Sequence, residues 1–344
     1  VWIMAYTTID DPTINFNTKI YTGTGSSNSV TGVNFQPDFV WIKDRSEGNW
    51  HNLYDVIRGA TKRLFSNQTN AEETQAAALS AFGSDGFTVG SNVDVNKSSN
   101  NYVSWNWKAG GSASSNGDGN IASSVSANTA AGFSIATWTG SGSNGTIGHG
   151  LGAAPELSFI KQRTGTQDWN AQATALGYSK YLILNGSNAS ANTSGAIISS
   201  VSTTTISVDS NGYVNAASNN YVGYFFASVQ GHSKIGIFTG NGNADGPYVH
   251  LGFRPAWVLF KPVSSADWTI VDAKRNTFNP VADKTLNPNL DSAEHDGSAD
   301  LDFLSGGFKI KNANTDTNDS GTILYMAFAE SPFVNSNGVP TNAR

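Results

Sequence analysis

The stretch Phe35-Gln-Pro-Asp-Phe-Val-Trp-Ile-Lys43, introduced by Tyr21-Thr-Gly-Thr-Gly25, decides how the chain is read, because it occurs three times. The second copy is Trp138-Thr-Gly-Ser-Gly142 followed by Leu151-Gly-Ala-Ala-Pro155-Glu-Leu-Ser-Phe-Ile-Lys161. The third is Phe238-Thr-Gly-Asn-Gly242 followed by Phe253-Arg-Pro255-Ala-Trp-Val-Leu-Phe-Lys261. Each copy opens on aromatic-Thr-Gly-x-Gly, and each places a lysine six residues after a proline. Self-similarity at a long period outranks local propensity as evidence of architecture. Within the unit, Phe39-Val-Trp-Ile42 is an unbroken apolar run after a proline, which suits a strand buried on both faces.

The unit continues in order. A tryptophan follows the lysine (Trp50, Trp169, Trp268), then Leu-x-x-Asn at Leu64, Leu182 and Leu286. Asp85-Gly86, Asn211-Gly212 and Gly306-Gly307 each precede an aromatic and predict type I′ hairpins, whose two central residues need positive φ. Ser99-Asn-Asn-Tyr-Val103 and Ser218-Asn-Asn-Tyr-Val222 close the first two copies identically, and residues 322–329 close the third more loosely.

The expected fold is therefore all-β: three tandem antiparallel β-sandwich repeats of jelly-roll type. Residues 1–16 form a lead-in, 17–109 the first repeat, 132–230 the second, 232–334 the third and 335–344 a polar tail. Residues 110–131, nearly all Gly, Ser, Ala and Asn, read as a flexible linker with a hinge at 117–120. Residues 71–82 are ambiguous. Asn70 and Glu73 resemble a helix start, but the other copies read as strand there, so a loop or short helix near Glu72 leading into a strand at Phe82 is expected. Met4 reads as a natural start, which leaves residues 1–3 as either an upstream in-frame extension or a scar.

Composition narrows the function. Charged residues are 13% of the chain, about half the usual share, so the surface is covered mostly by Gly, Ser, Thr and Asn. The net charge is −6 with no basic cluster, which argues against a nucleic-acid partner. Cysteine is absent, which removes thiol and disulfide chemistry. No stretch approaches the ~20 apolar residues of a membrane span.

Candidate sites have plain readings beside sharper ones. The Gly-x-Gly openings lack the Lys-Ser/Thr and following helix of a phosphate loop and read as turns. Lys43, Lys161 and Lys261, at the end of an apolar strand, read as edge-protecting or snorkelling side chains. Trp50, Trp169 and Trp268 fit either a core anchor in each repeat or a sugar-stacking platform. Asp55 with Arg58, and Asp272 with Arg275, share a spacing that the second copy lacks, and fit an ion pair or a ligand contact. Two oxygen-rich runs, 291–302 and 312–318, offer oxygens of the kind calcium takes but lack the EF-hand spacing, so no metal or other cofactor is expected. The five histidines show no metal-ligand spacing and no nucleophile elbow is present, so no enzyme is expected.

Several runs carry a resemblance. Gly117-Asp-Gly-Asn120 leading to Ala131-Gly-Phe-Ser-Ile135, and Gly148-His-Gly-Leu-Gly152-Ala-Ala-Pro155, are similar to tail-fibre-like structural proteins of tailed bacteriophages, especially marine ones. So are Gly246-Pro-Tyr-Val-His-Leu-Gly-Phe-Arg-Pro-Ala-Trp257, Ile323-Leu-Tyr-Met-Ala-Phe-Ala-Glu-Ser-Pro332 and Ala5-Tyr-Thr-Thr-Ile-Asp-Asp-Pro12. The resemblance implies a non-enzymatic virion structural protein on the particle surface, assembled in the host cytoplasm, and with the aromatic-rich repeats the expected role is a tail-fibre or other appendage subunit contributing to attachment to host-surface carbohydrate. Its implied partners are other virion proteins and host surface glycan, and its implied state is a homotrimer. A capsid-decoration, head-fibre or filament role and a polysaccharide depolymerase are the alternatives.

Overall fold

The computed structural model describes residues 6–192, 197–276, 283–297 and 301–341, and the reading of Met4 as a start lies outside them. The chain is all-β with antiparallel sheets, and among the described residues the only helices are single turns between strands. Each repeat places three strands side by side: an opening strand (Phe16–Thr22, Phe133–Thr139, Ser233–Thr239), a closing strand (Asn101–Trp107, Asn220–Phe226, Thr322–Pro332) and a middle strand (Phe39–Asp44, Leu157–Gln162, Phe253–Pro262). The closing strand lies between the other two. A second, three-stranded sheet accompanies each; in the first repeat it is Asn28–Thr31, Gly86–Val89 and Leu79–Gly83.

The apolar run of each middle strand is continuous because both of its faces are covered. Val40 and Ile42 pack with Val30, Phe87 and Val89 of the small sheet in a core private to the first repeat. Phe39 and Trp41 point the other way, into a cluster shared by all three repeats. Leu157 and Phe159 from the second repeat and Trp257 and Leu259 from the third enter that same cluster, while Ile160, and Val258 with Phe260, serve private cores. Side chains alternate across a strand, so one hexapeptide builds two cores at once. The three large sheets thus face one another around a common aromatic centre, where Phe39 stacks on Tyr224 at 4.3 Å and Phe16 on Phe328 at 4.6 Å.

Several expectations need correction. Residues 110–131 are not a loose linker: Ser114–Asn116 and Ser123–Asn128 are strands, the second pairing with residues 133–138 of the second repeat's opening strand. Its composition suggested flexibility, but Val125 and Ser126 are buried within the alternation of Ser123-Ser-Val-Ser-Ala-Asn128, which is a strand signal. The expected hinge at 117–120 is fixed too, because Asn120 Oδ1 accepts from Thr146 N at 2.7 Å and Asn120 N donates to Thr146 Oγ1 at 3.0 Å.

The hairpin turns are shifted by one residue. Gly83 pairs with Gly86 and Leu304 with Gly307, so the central residues are Ser84-Asp85 and Ser305-Gly306. Gly86 and Gly307 are required for a different reason: a Cβ there would sit 2.0 Å from the carbonyl of Val30 or Val249 on the neighbouring strand. Asn211-Gly212 is not in a hairpin at all; it begins the turn that corresponds to Asn92 and Asn314. Residues 71–82 hold the strands Glu73–Thr74 and Leu79–Gly83 and no helix.

Candidate functional site

The chemistry-bearing residues of the repeat meet where repeats join. Three seams exist: first to second, second to third, and third back to first. Lys161 Nζ donates to Gln162 O (2.9 Å), Gly165 O (3.4 Å) and, across the first seam, Thr69 O (3.0 Å). Lys261 Nζ donates to Ala266 O (2.7 Å), Ser264 O (3.3 Å) and, across the second, Ser187 O (3.3 Å). Lys43 Nζ donates to Asp44 O (2.7 Å), Glu47 O (3.2 Å) and, across the third, Asp291 O (3.1 Å). The expectation of edge or snorkelling lysines is therefore wrong: all three are fully buried. An ammonium has three N–H donors and no acceptor, and each site presents three carbonyls to it. Burial lowers each lysine to about 8, partly offset by nearby carboxylates such as Asp44 or Asp168, which leaves the cation intact at neutral pH. Beside each lysine an equivalent backbone bond also crosses: Glu72 N to Arg163 O (2.8 Å), Ser190 N to Val263 O (2.8 Å) and Glu294 N to Arg45 O (3.0 Å), and the second seam adds Ala266 N to Ser187 O (2.9 Å). The three repeats form a closed ring.

The tryptophans belong to the same seams. Trp169 Nε1 donates to Phe65 O at 2.8 Å across the first, and Trp268 Nε1 to Ile183 O at 2.8 Å across the second. Both rings are fully buried, so no sugar ring can stack on them. Trp50 is not their equivalent. The N–H groups of Trp169 and Trp268 donate to Asn185 and Asn289, and it is His51 N that donates likewise to Asn67, at 3.1 Å. Trp50 instead packs edge-on to Phe65 at 4.9 Å. His51 is buried and accepts from Trp41 Nε1 at 2.9 Å through Nδ1, which places its proton on Nε2. Burial, reinforced by the Lys43 and Arg275 charges, holds its pKa well below the usual imidazole value.

The two Asp–Arg pairs are buried ion pairs with no exposed atom to offer a ligand. Arg58 Nε meets Asp55 at 2.5 Å and its other nitrogens reach Leu53 O, Tyr224 Oη and Glu72. Arg275 Nε meets Asp272 at 2.5 Å and reaches Ile270 O and Glu294. Across the first seam Arg163 grips Glu72 through two nitrogens, and across the third Arg45 grips Glu294 in the same way. Although burial opposes ionisation, pairing with Arg163 and Arg58 holds the Glu72 carboxyl below its ordinary range, and Arg45 with Arg275 does the same for Glu294. The second seam has Ala173 and Leu176 in place of the Asp and Arg, and these belong to or pack on the shared apolar core.

The Gly-x-Gly openings are turns clamped by an asparagine that sequence reading overlooked. Asn96 Oδ1 accepts from Thr24 N (2.8 Å), Asn215 Oδ1 from Ser141 N (2.8 Å) and Asn318 Oδ1 from Asn241 N (2.9 Å). The first glycine of each opening cannot carry a Cβ, which would lie 2.0 to 2.2 Å from the carbonyl of Asp319, Ala216 or Lys97. A legible signal existed: Asn92-x-x-x-Asn96, Asn211-x-x-x-Asn215 and Asn314-x-x-x-Asn318 share one spacing. The run 312–318, considered for calcium, uses its oxygens on the protein. Asn312 accepts from Asn314 N, Asn314 caps the turn Thr315–Asn318, and Asp316 accepts from Asp267 N. In the run 291–302, Glu294 is taken by arginines and Asp302 pairs with Lys311 at 3.7 Å, while residues 298–300 lie outside the described residues. Among the described residues no three His, Asp or Glu side chains are grouped to hold a metal.

Several cavities open on the surface. One of about 740 Å³, at the second seam, is lined by Tyr6, Glu156, Ser228, Lys234, Ile235 and His250 among others. A smaller one of about 140 Å³, at the third seam, includes Phe16, Thr18, Arg254 and Glu330. No curated protein matches the chain. The model of a domain of unknown function, DUF7483, matches residues 11–332, a span that takes in all three seams and the repeats up to the last two residues of the third. The chain belongs to the DUF7483 family.

Proposed function

We propose that the protein is a non-enzymatic structural component of a virus particle, an appendage or decoration subunit that supplies a rigid body of threefold design. The observation that carries this reading is the closed ring. Every lysine, aspartate and arginine that the repeat singles out is spent on joining one repeat to the next, and none faces an open site. Such a body is built to hold shape. The virion setting rests on the resemblance to tail-fibre-like phage proteins, and the low-charge, Gly/Ser/Thr/Asn-rich surface is in keeping with it.

Of the roles such a protein could have, the purely architectural one is favoured over glycan attachment, because Trp169 and Trp268 are core residues. The threefold arrangement that a homotrimer would provide is supplied here by one chain, so the unit proposed is a monomer. Immunogold labelling of intact particles with antibody to this chain tests the assignment. Label on the head, tail or fibres is expected; absence of label from every particle fraction would remove the virion reading. Light scattering of the purified chain should return one chain per particle.

A further inference from the structure

Two of the three seams have a peptide connection across them and the third has none. Residues 108–132 carry the chain from the closing strand of the first repeat to the opening strand of the second, and residues 227–232 carry it from the second to the third. The third repeat meets the first through contacts alone. These are the Lys43–Asp291 and Arg45–Glu294 bonds, Trp105 on Asp272, Ser66 Oγ donating to Pro288 O at 2.7 Å, and the stack of Phe16 on Phe328. The lead-in stands where a connection would run. One end of it is fixed to the first repeat: Lys108 N donates to Asn15 O at 2.9 Å and Asn128 Nδ2 to Asn15 Oδ1 at 3.0 Å. The other end lies on the second-to-third junction and on the third repeat. Thr7 Oγ1 donates to Gln230 O at 2.7 Å, and Tyr6 Oη to Gly252 O at 2.7 Å, a carbonyl that also accepts from Phe333 N at 3.2 Å. The Asp10 carboxylate accepts from Ser336 N and Ser336 Oγ, both at 2.6 Å. Thr7, Ile9 and Pro12 are buried, while Thr8, Asp10 and Asp11 face solvent. The receiving surface is shaped for the lead-in. Gly231 and Gly252 both have positive φ, and a Cβ would lie 2.8 Å from Thr7 Cβ at the first and 2.5 Å from Tyr6 Oη at the second.

We infer that residues 6–12 are a strap that holds the ring shut, and that the ring has a single point of opening, at the third seam. A peptide link keeps two surfaces at high effective concentration, so the first and second seams close again readily after their bonds break. At the third seam the strap takes the place of the link. While Tyr6, Thr7 and Asp10 are docked, the first repeat is tied to the third through the single turn Pro12–Ile14, which leads directly into the opening strand at Phe16. Once they are released, the covalent path between these two repeats runs through the whole of the second, and a longer path makes closure entropically more costly. Opening at this place parts Phe16 from Phe328 and Trp105 from Asp272 and leaves the other two seams joined. The strap has the character of a segment that lets go before the core does. Its side-chain bonds to Gln230, Gly252 and Ser336 are few, and the Asp10 carboxylate makes its contact at the surface.

The test uses the full chain carrying Tyr6→Phe, Thr7→Val and Asp10→Ala together, which removes the strap's side-chain bonds to Gln230, Gly252 and Ser336 and keeps the apolar bodies of Tyr6 and Thr7. Native-state amide exchange reads each seam through the backbone bond that crosses it: Glu72 for the first, Ser190 for the second and Glu294 for the third. Protection at Glu294 should fall by roughly tenfold or more in the triple variant, with Glu72 and Ser190 unchanged. A merely structural role for the lead-in would lower protection at all three positions together, and that result would overturn the proposal. So would undiminished protection at Glu294. If the triple variant proves poorly folded, Ser336→Ala decides the matter, since it removes one hydroxyl from the tail and leaves the strap's own sequence intact. It should lower protection at Glu294 several-fold and spare the other two, and equal protection at all three seams in this variant and in wild type would count against the strap.

Discussion

Tyr224 Oη donates to Asp55 Oδ2 at 2.7 Å across the first seam, and it also accepts from Arg58 at 3.2 Å. The third seam repeats the arrangement with a different aromatic, Trp105 Nε1 donating to Asp272 at 3.1 Å. The second seam has Ala173, Leu176 and Met326 in the corresponding places, all in or against the apolar core. One backbone geometry thus carries an ionic solution twice and an apolar solution once.

This gives a direct comparison of buried charge with buried hydrocarbon. Asp55→Ala alone strands the Arg58 guanidinium and should cost about 3–5 kcal/mol. Asp55→Ala, Arg58→Leu and Tyr224→Met together rebuild the second seam's chemistry at the first. The triple variant should fall between neutral and about 4 kcal/mol more stable than wild type. Urea denaturation of both variants checks this, and a triple variant as unstable as the single one would show that the ion pair is required for the seam.

The buried lysines admit no simple replacement. Lys161→Met keeps the volume but leaves Thr69, Gln162 and Gly165 carbonyls without a donor. Each buried orphan costs about 1–3 kcal/mol, and some will recruit water. A loss of roughly 2–5 kcal/mol in urea denaturation is expected, with faster amide exchange at Glu72, whose N–H crosses the seam next to the lysine.

Acid should open the seams unequally. Glu72 and Glu294 have folded pKa values below their ordinary range, so their contribution is present above the unfolded value of about 4.3 and is lost as pH falls through the folded one. The second seam has Ser190 and Val263 where the others have Glu and Arg. Amide protection, corrected for the intrinsic exchange rate at each pH from 5 to 3, should therefore be lost at Glu72 and Glu294 before Ser190. Uniform loss of protection at all three would contradict this account.

His51 and Trp41 should behave as a coupled pair. The second repeat holds Phe159 and Trp169 in the same two places. His51→Trp alone overfills the site against Trp41 and should cost about 1–3 kcal/mol. Adding Trp41→Phe should restore much of the loss, and a double-mutant cycle reads the coupling. Additive effects would mean that the two side chains do not share one space.

Much of this was legible in the sequence. The triplicated Pro-to-Lys run marks the repeat, and its unbroken apolar stretch marks a strand covered on both faces. What could not be read is that the second covering is the other two repeats, since a hexapeptide buried by a neighbour looks the same as one buried by its own sheet. For that reason the lysine reads as ending at solvent, when one of its three acceptors lies on a loop of the adjacent repeat. Trp50 misled because a tryptophan stands one place from the seam position, and only the bond from His51 N to Asn67 fixes the register. Residues 110–131 misled because a low-complexity composition hides a period of two. The asparagine clamp on each Gly-x-Gly turn was present as a repeated Asn-x-x-x-Asn and went unread because a long gap separates it from the turn it holds.

A ring assembled from three identical chains has to accept every substitution three times, once per interface. Fusing the repeats into one polypeptide removes that constraint, and the three seams here have used the freedom. Two keep their ion pairs and one has exchanged them for methionine, leucine and alanine. A strand from the chain's own connection pairs with the outer edge of one opening strand, and among the described residues the other two opening strands have no such partner strand. Covalent linkage has turned an exchangeable symmetry into three addresses, each able to change without consulting the others.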